Sequence, residues 1–320
     1  MERTLVTVIP ELTEAQKQNI RKTAEGCGIH ALFFDTSEAA AEAVRNAEII
    51  FAFAPELAKE AKNLRWYATP SAGVDRFLND EALTKNGVIL TNGSGAYGTT
   101  IAEHIIMVIL MIYRREKDYT GIVQRHEWIR NLPMRSISGS RITLLGTGDI
   151  GQCTAKRLGG FEPASLIGVN RSGTSPASCF DTVLPSSRIE EVLPETDILI
   201  LSLPKTEETY HILDRKRLAL LKDGALVVNA GRGSCIEEEA LIEELKKKRL
   251  YAALDVFETE PLPASSPLWE LENALLTPHV AGDMSLPLTV ETVTGMFLSD
   301  LQRYAKGEAL RKEVSRKKGY

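Results

Sequence analysis

The sequence predicts an α/β protein of two units built on parallel sheets, and three observations carry that prediction. Short β-rich runs alternate with helical ones over roughly the first hundred residues, a rhythm that sets strands side by side with helices on both faces. The same rhythm restarts at Arg141, after the loop-like stretch NLPMRSISGS. A glycine-rich turn then joins the first strand and first helix of this second series.

In the first unit Leu5–Ile9 reads as a strand, and Thr13–Glu25 as a helix opened by a capping-box pattern, T-E-A-Q. Ala31–Phe34 is a strand, Glu38–Asn46 an Ala-rich helix, and Glu48–Phe53 another strand; Asn63–Thr69 and Val88–Thr91 complete about five strands. The run TNGSGAYGTT, Thr91–Thr100, is loop-like and opens a long apolar helix. In the second unit Ile142–Leu145, Leu166–Asn170, Ile198–Leu203, Ala225–Asn229 and Tyr251–Val256 read as strands, with Leu275–Thr277 a short last one. Glu237–Lys248 is a helix, acidic at its start and basic at its end as the helix dipole favours. Leu286–Lys306 is a final helix. No repeat of solenoid length is present.

A chain of 320 residues is large enough for two cores. Its apolar fraction of 43% and charged fraction of 25% are those of an ordinary globular protein. A net charge of −5 argues against nucleic acid or an anionic membrane as main partner, so an anionic substrate must be held by local positive groups. The start, MERTLVTVIPELTEAQ, has acids early and no apolar run of signal-peptide type. Ile105–Tyr113 is the most apolar stretch and falls far short of the ~20 residues that span a bilayer. Cys27, Cys153, Cys179 and Cys235 form no C-x-x-C pair, which predicts a reducing, cytoplasmic setting with neither disulfide framework nor zinc site.

Gly146-Thr147-Gly148-Asp149-Ile150-Gly151 is a G-x-G-x-x-G between the strand ITLL and the helical QCTAKRL. The first glycine permits a tight turn, the second lets a pyrophosphate approach the backbone, and the third allows close helix–sheet packing. Free amides and the partial positive charge at the helix N-terminus favour the anion. The context therefore predicts a dinucleotide site rather than a plain glycine turn. The acid expected about 20 residues on, for the adenosine ribose, is replaced by Asn170-Arg171-Ser172. An acid would repel a 2′-phosphate, whereas these three can donate to one, so NADP(H) is favoured and NAD(H) remains the alternative.

Three polar residues follow predicted strands of the second unit, where ligands gather in open α/β sheets. Arg232 lies in NAGRG after ALVV, Glu260 in DVFETEP after YAAL, and His279 in TPHVAG after ALL. A guanidinium between glycines suits bidentate binding of a carboxylate. An imidazole exchanges protons near neutral pH, and a nearby carboxylate favours its charged form. Taken singly, each has a plain structural reading as a surface ion-pair former, an acidic loop or a satisfied histidine. Their order downstream of the glycine-rich loop is what makes them specific.

Over nearly its whole length the chain resembles the D-isomer-specific 2-hydroxyacid dehydrogenases, which include phosphoglycerate dehydrogenase and the glyoxylate/hydroxypyruvate reductases. The motifs are SAGVD at Ser71–Asp75, AEH at Ala102–His104, GTGDIG, NRS at Asn170–Ser172, LPKTEETYHIL at Leu203–Leu213, NAGRG, LDVFETEP, TPHVAG and the terminal Gly319-Tyr320. The resemblance implies a flavodoxin-like substrate domain, residues 1–98 plus 285–320, and an inserted Rossmann dinucleotide-binding domain, residues 99–284, closing on each other to exclude water. It implies hydride transfer from NAD(P)H to C2 of a 2-keto acid. Arg232 would bind the carboxylate and carbonyl oxygen, His279 would protonate that oxygen, and Glu260 would hydrogen-bond His279. Ala72 and Gly73 would offer amides to the carboxylate, Ala230 and Asp255 would orient the nicotinamide amide, and Pro204 would line the cofactor cleft. Tyr97 stands where the linker would face the substrate or, equally, as a core residue, and Phe53 and Ala54 would help to shape the pocket. A homodimer is implied, with the helix after Ala102 and the loop Gly121–Ser140 as contacts.

The chain departs from the family where the usual F-G after the loop helix becomes Phe161-Glu162-Pro163. His104 is expected to be structural; His30, His126 and His211 carry no motif and are expected to be structural or solvated. A second reading, a dinucleotide-binding redox sensor acting through protein partners as corepressors of this fold do, keeps the same three residues. The absence of a basic patch speaks against it.

Overall fold

The computed structural model describes residues 3–84, 87–175 and 177–316, and the chain forms two compact units, Met1–Tyr97 with Asp283–Tyr320 and Gly98–Gly282. The terminal Gly319-Tyr320 motif lies outside the described residues.

The first unit holds a five-stranded sheet of β1 (Arg3–Val8), β2 (Ile29–Phe34), β3 (Ile49–Ala52), β4 (Trp66–Ala68) and β5 (Ile89–Thr91). All pairs are parallel and the order is β2-β1-β3-β4-β5, the flavodoxin-like arrangement. The capping box opens the first helix, Glu14–Gly26: the Gln16 amide donates to Thr13 Oγ1 at 3.3 Å, and the Thr13 amide donates to Gln16 Oε1 at 2.9 Å. On one face of the sheet Val6, Ile50, Tyr67 and Leu90 pack with Val44, Phe77 and Leu83. The helix Pro287–Ala305 belongs to this unit, and its Phe297 ring stacks on Phe51 at 4.0 Å and on Trp66 at 5.2 Å.

The second unit holds seven strands: β6 (Arg141–Leu145), β7 (Ser165–Asn170), β8 (Thr182–Pro185), β9 (Ile198–Leu201), β10 (Leu226–Asn229), β11 (Tyr251–Leu254) and β12 (Ala274–Leu276). They are parallel in the order β12-β11-β10-β9-β6-β7-β8. The order reverses between β6 and β9, so the loops after these strands flank the crevice where open α/β sheets bind ligands. β9 and β10 are buried along their whole length, as a parallel sheet covered on both faces demands.

Two details differ from the sequence reading. β8 is a seventh strand where six were expected; TVLP is short, half-exposed, at the sheet edge and closed by a proline, so it carries no apolar run. The long helix Gly98–Tyr113 begins inside the stretch read as loop up to Thr100, because Thr99 and Thr100 continue into the apolar face of Ile101, Ala102, Ile105 and Val108.

Candidate active site

Gly146 closes the turn after β6 with φ +105°, a conformation that glycine adopts without steric cost. A Cβ on Gly151 would lie 2.0 Å from the Gly146 carbonyl oxygen, so the helix Asp149–Leu158 starts pressed against the turn. At Gly148, the residue before that helix, a Cβ would meet nothing within 4 Å, and the position makes no side-chain cap to the first amides. Open space in front of uncapped N–H groups fits a pyrophosphate, which the helix terminus would hold through its amides and dipole.

Asn170, at the end of β7, donates through Nδ2 to Thr147 Oγ1 and to the Thr174 carbonyl, both at 2.7 Å. Its Oδ1 accepts from the amides of Ser172 (3.0 Å) and Gly173 (2.7 Å). The Asn170 side chain is therefore spent on building the turn and tying it to the glycine loop; it offers no spare donor to a 2′-phosphate, as the sequence reading had assigned it. Arg171 stands exposed beside this turn, with Nε 2.8 Å from Glu208 Oε2. Pro204, in the loop after β9, accepts from Thr209 Oγ1 at 2.6 Å. Ala230, just past β10, is buried, and its amide donates to the Leu201 carbonyl at 3.1 Å.

Arg232 follows β10 in a loop held from both sides by one side chain. Asn229 Nδ2 donates to the Arg232 carbonyl at 3.0 Å, while its Oδ1 accepts from the Gly231 amide at 3.1 Å. The half-buried guanidinium donates through Nη1 to the Gly231 carbonyl at 2.9 Å. Gly233 brings this loop against the acidic loop after β11: a Cβ there would sit 1.9 Å from the Phe257 carbonyl oxygen.

Glu260 turns back on its own loop. One carboxylate oxygen accepts from the Phe257 amide at 3.0 Å, and the other lies 2.7 Å from His279 Nδ1. His279 is half-exposed and sits at φ +56°, a left-handed conformation that costs a non-glycine residue about 1 kcal/mol or more. Asp255 stabilises it there. Its carbonyl accepts from the His279 amide at 2.8 Å, and its buried carboxylate accepts from the amides of Val280 (2.9 Å) and Ala281 (3.0 Å) and from Thr277 Oγ1 (2.6 Å). An imidazole bound to a carboxylate through Nδ1 keeps Nε2 for a reacting group. The loops after β6, β7, β10, β11 and β12 thus carry an anion cradle, a guanidinium and a carboxylate–imidazole pair at the carboxyl ends of the strands of one sheet.

Residues 106–281 match the family model described as D-isomer specific 2-hydroxyacid dehydrogenase, NAD binding domain. A glyoxylate reductase of Thermofilum pendens is 34% identical over 236 residues, 71% of this chain and 68% of that protein. The crystal structure of a D-isomer specific 2-hydroxyacid dehydrogenase family protein from Aeromonas salmonicida superposes with a TM-score of 0.88 at 31% identity, covering 99% of this chain and 100% of that one. The chain belongs to the D-isomer-specific 2-hydroxyacid dehydrogenase family. It is an NAD(P)-dependent oxidoreductase of the 2-keto/2-hydroxy acid class. An NADPH-dependent glyoxylate/hydroxypyruvate reductase of Sinorhizobium meliloti, solved with NADP and sulfate, is similar at a TM-score of 0.82 and 25% identity over 99% of this chain and 100% of that one.

Within this dehydrogenase, other residues singled out from sequence stand elsewhere. Ala72 and Gly73 lie half-buried in the loop after β4, where the Ala72 carbonyl accepts from Asn92 Nδ2 at 2.9 Å. Tyr97 is buried, its hydroxyl 2.8 Å from the Pro70 carbonyl and 3.6 Å from Met284 Sδ. Burial pushes its phenol far above the usual tyrosine range, so the hydroxyl stays a neutral donor to that carbonyl. Of the two readings of Tyr97, a side chain facing the substrate and a core residue, its burial fits the second, and its hydroxyl ties down Pro70 just before the Ser71–Val74 loop. His211, expected to be structural or solvated, pairs through Nε2 with Glu258 Oε1 at 2.6 Å, and its amide donates to the Ser234 carbonyl at 2.9 Å, joining the acidic loop to the Arg232 loop. Asn229 and Thr277 open the NAGRG and TPHVAG motifs but carry no role in the sequence reading, although one ends β10 and the other follows β12, places where a short polar side chain commonly caps the following turn.

Proposed function

We propose that the protein reduces a small 2-keto acid, glyoxylate or hydroxypyruvate, to the 2-hydroxy acid, with NADPH favoured over NADH. The observation that carries this reading is the 2.7 Å contact between His279 Nδ1 and Glu260 Oε2 in the loops beside Arg232. Arg232 binds the substrate carboxylate and the carbonyl oxygen, and His279 Nε2 gives its proton to that oxygen. Glu260 holds the imidazole in the tautomer and direction this transfer needs. Reduced nicotinamide, when bound, supplies the hydride that adds to C2. Gly146, Gly148, Asp149, Ile150 and Gly151 would hold the pyrophosphate, and Pro204, Ala230 and Asp255 would border the nicotinamide end. The named substrates are supported by the Thermofilum pendens and Sinorhizobium meliloti relatives. The test is a panel of 2-keto acids assayed with each cofactor; turnover of none of them, with tight cofactor binding retained, would favour the sensor reading instead.

The cofactor preference rests on Arg171. Losing one charge-assisted contact to a 2′-phosphate costs about tenfold in binding, so Arg171→Ala is expected to lower kcat/KM for NADPH by about that factor and to leave NADH within about twofold. A parent enzyme that already prefers NADH, with the ratio untouched by the substitution, overturns the preference.

We also propose a cytoplasmic homodimer. The four cysteines are free thiols, as a reducing compartment keeps them. In the segment 123–134 Trp128 is 87% exposed, with Val123, Ile129 and Met134 also on the surface, a concentration of apolar side chains that marks a contact site. Trp128→Glu is expected to halve the particle mass in light scattering; a parent that is itself a monomer at assay concentration rules the dimer out.

A further inference from the structure

The long helix Gly98–Tyr113 carries one histidine inward among Ile101, Ala102, Ile105 and Val108. The His104 side chain is only 11% exposed, and its Nε2 lies 3.2 Å from Thr277 Oγ1 and 3.9 Å from Asp255 Oδ1. Thr277 Oγ1 is in turn 2.6 Å from Asp255 Oδ1. A carboxylate can only accept, so the single Thr277 hydroxyl proton goes to Asp255, and the hydroxyl oxygen is left to accept from His104. The relay has one direction: His104 Nε2–H to Thr277, then Thr277 O–H to Asp255. Both oxygens of Asp255 also accept backbone amides of the turn that follows His279, as described above.

We propose that His104 is a positioning residue of this dehydrogenase, fixing the Thr277 hydroxyl and, through Asp255, the left-handed turn that presents His279. The inference rests on His279 being the proton donor. Burial lowers the affinity of His104 for a second proton despite the attraction of Asp255, the charged group acting on it. The imidazole is therefore neutral at neutral pH, with its one proton on Nε2, where the relay needs it. A purely apolar residue would fill the same space between helix and sheet but leave the Thr277 oxygen without its donor and the hydroxyl free to turn from Asp255. The left-handed turn would then keep its two amides on Asp255 and lose the third contact that orients that carboxylate.

Misplacing a catalytic group by a fraction of an ångström lowers turnover by about tenfold or more. His104→Phe is accordingly expected to lower kcat by about tenfold, with KM for keto acid and cofactor moved by less than about twofold. His104→Gln, whose terminal amide reaches as far and donates, is expected to recover most of the loss. Thr277→Val removes the middle of the relay and is expected to match His104→Phe, while the double variant loses no more than either. In the 15N-histidine-labelled full chain, NMR is expected to show His104 as the Nε2–H tautomer at neutral pH. Should His104→Phe fail to fold, Thr277→Val decides alone. Wild-type kcat in Thr277→Val, a His104→Gln variant as impaired as His104→Phe, or an Nδ1–H tautomer overturns the proposal. His279→Ala separates the two ideas: if it is inactive while the relay variants are normal, only the positioning role fails; if it retains turnover, the reading of His279 fails with it.

Discussion

Arg232→Ala is expected to lower kcat/KM for glyoxylate by about a thousandfold, the largest loss of any single substitution outside the proton-transfer pair. The loop after β10 places the guanidinium by two independent means: Asn229 grips the backbone on either side, and Nη1 is anchored on the Gly231 carbonyl at 2.9 Å. A planar fork so held can take a carboxylate through two parallel bonds at little further loss of freedom. If it bound only the carboxylate, the substitution would raise KM and leave kcat alone. A guanidinium that also faces the carbonyl oxygen meets charge that grows during reduction, so kcat is expected to fall as well. Arg232→Lys keeps the charge but neither the fork nor its rigidity, and is expected to recover only about a tenth of the activity. The Asn229 contacts go to backbone atoms that the substitution leaves in place, so the melting temperature is expected to shift by no more than about 2 °C. A kcat/KM within about tenfold of the parent would falsify the assignment. Added guanidinium ion offers a second check, since partial rescue is expected only if the empty space is a cation site.

The sheets were legible because a strand buried on both faces must be a nearly continuous apolar run, and ILIL, LVVN and YAAL are such runs. β8 was not, because an edge strand needs neither the length nor the apolarity. The glycine loop was legible for a different reason: each glycine answers a local backbone demand that no other residue meets. Side-chain pairings across the chain are not written in the residue pattern itself: the Glu260–His279 pair is expected only through the family resemblance, and the His104–Thr277 pair not at all. Glu260 and His279 are 19 positions apart and His104 and Thr277 are 173 apart, so only the sheet order brings each pair together. His104 also sits at a helical spacing shared with apolar neighbours, and periodicity alone assigns it to the core. The core is where it is found; what it touches there is what the pattern could not say. Asn170 and Tyr97 show the converse. One stands in a motif and the other in the linker, where each suggests ligand contact, yet their polar atoms are consumed by neighbouring backbone and the Thr147 hydroxyl.

For the proton-transfer pair, His279→Ala is expected to lower kcat by about 10²–10⁴-fold, the range a positioned general acid contributes, with cofactor binding unaffected. Glu260→Gln is the more informative substitution. The carboxylate of Glu260 meets two donors at once, the Phe257 amide at 3.0 Å and the His279 ring at 2.7 Å, one on each oxygen. A glutamine has a single acceptor oxygen, so one of the two bonds must be lost. If the oxygen stays with Phe257, the amide nitrogen faces His279 Nδ1 and imposes the tautomer with its proton on Nε2 but without the carboxylate's hold on the imidazolium. If it turns to His279, an N–H group is set against the Phe257 N–H, and the acidic loop loosens where Gly233 packs against it. Either arrangement leaves the imidazole in place but without an anionic partner on Nδ1, so kcat is expected to fall by about 10- to 100-fold, less than for His279→Ala. Because Glu260 acts only through His279, the double variant is expected to be no slower than His279→Ala alone. Losses that multiply would mean that the carboxylate meets substrate or cofactor directly. Single-turnover measurement of nicotinamide absorbance separates the two cases, since it isolates the chemical step from product release.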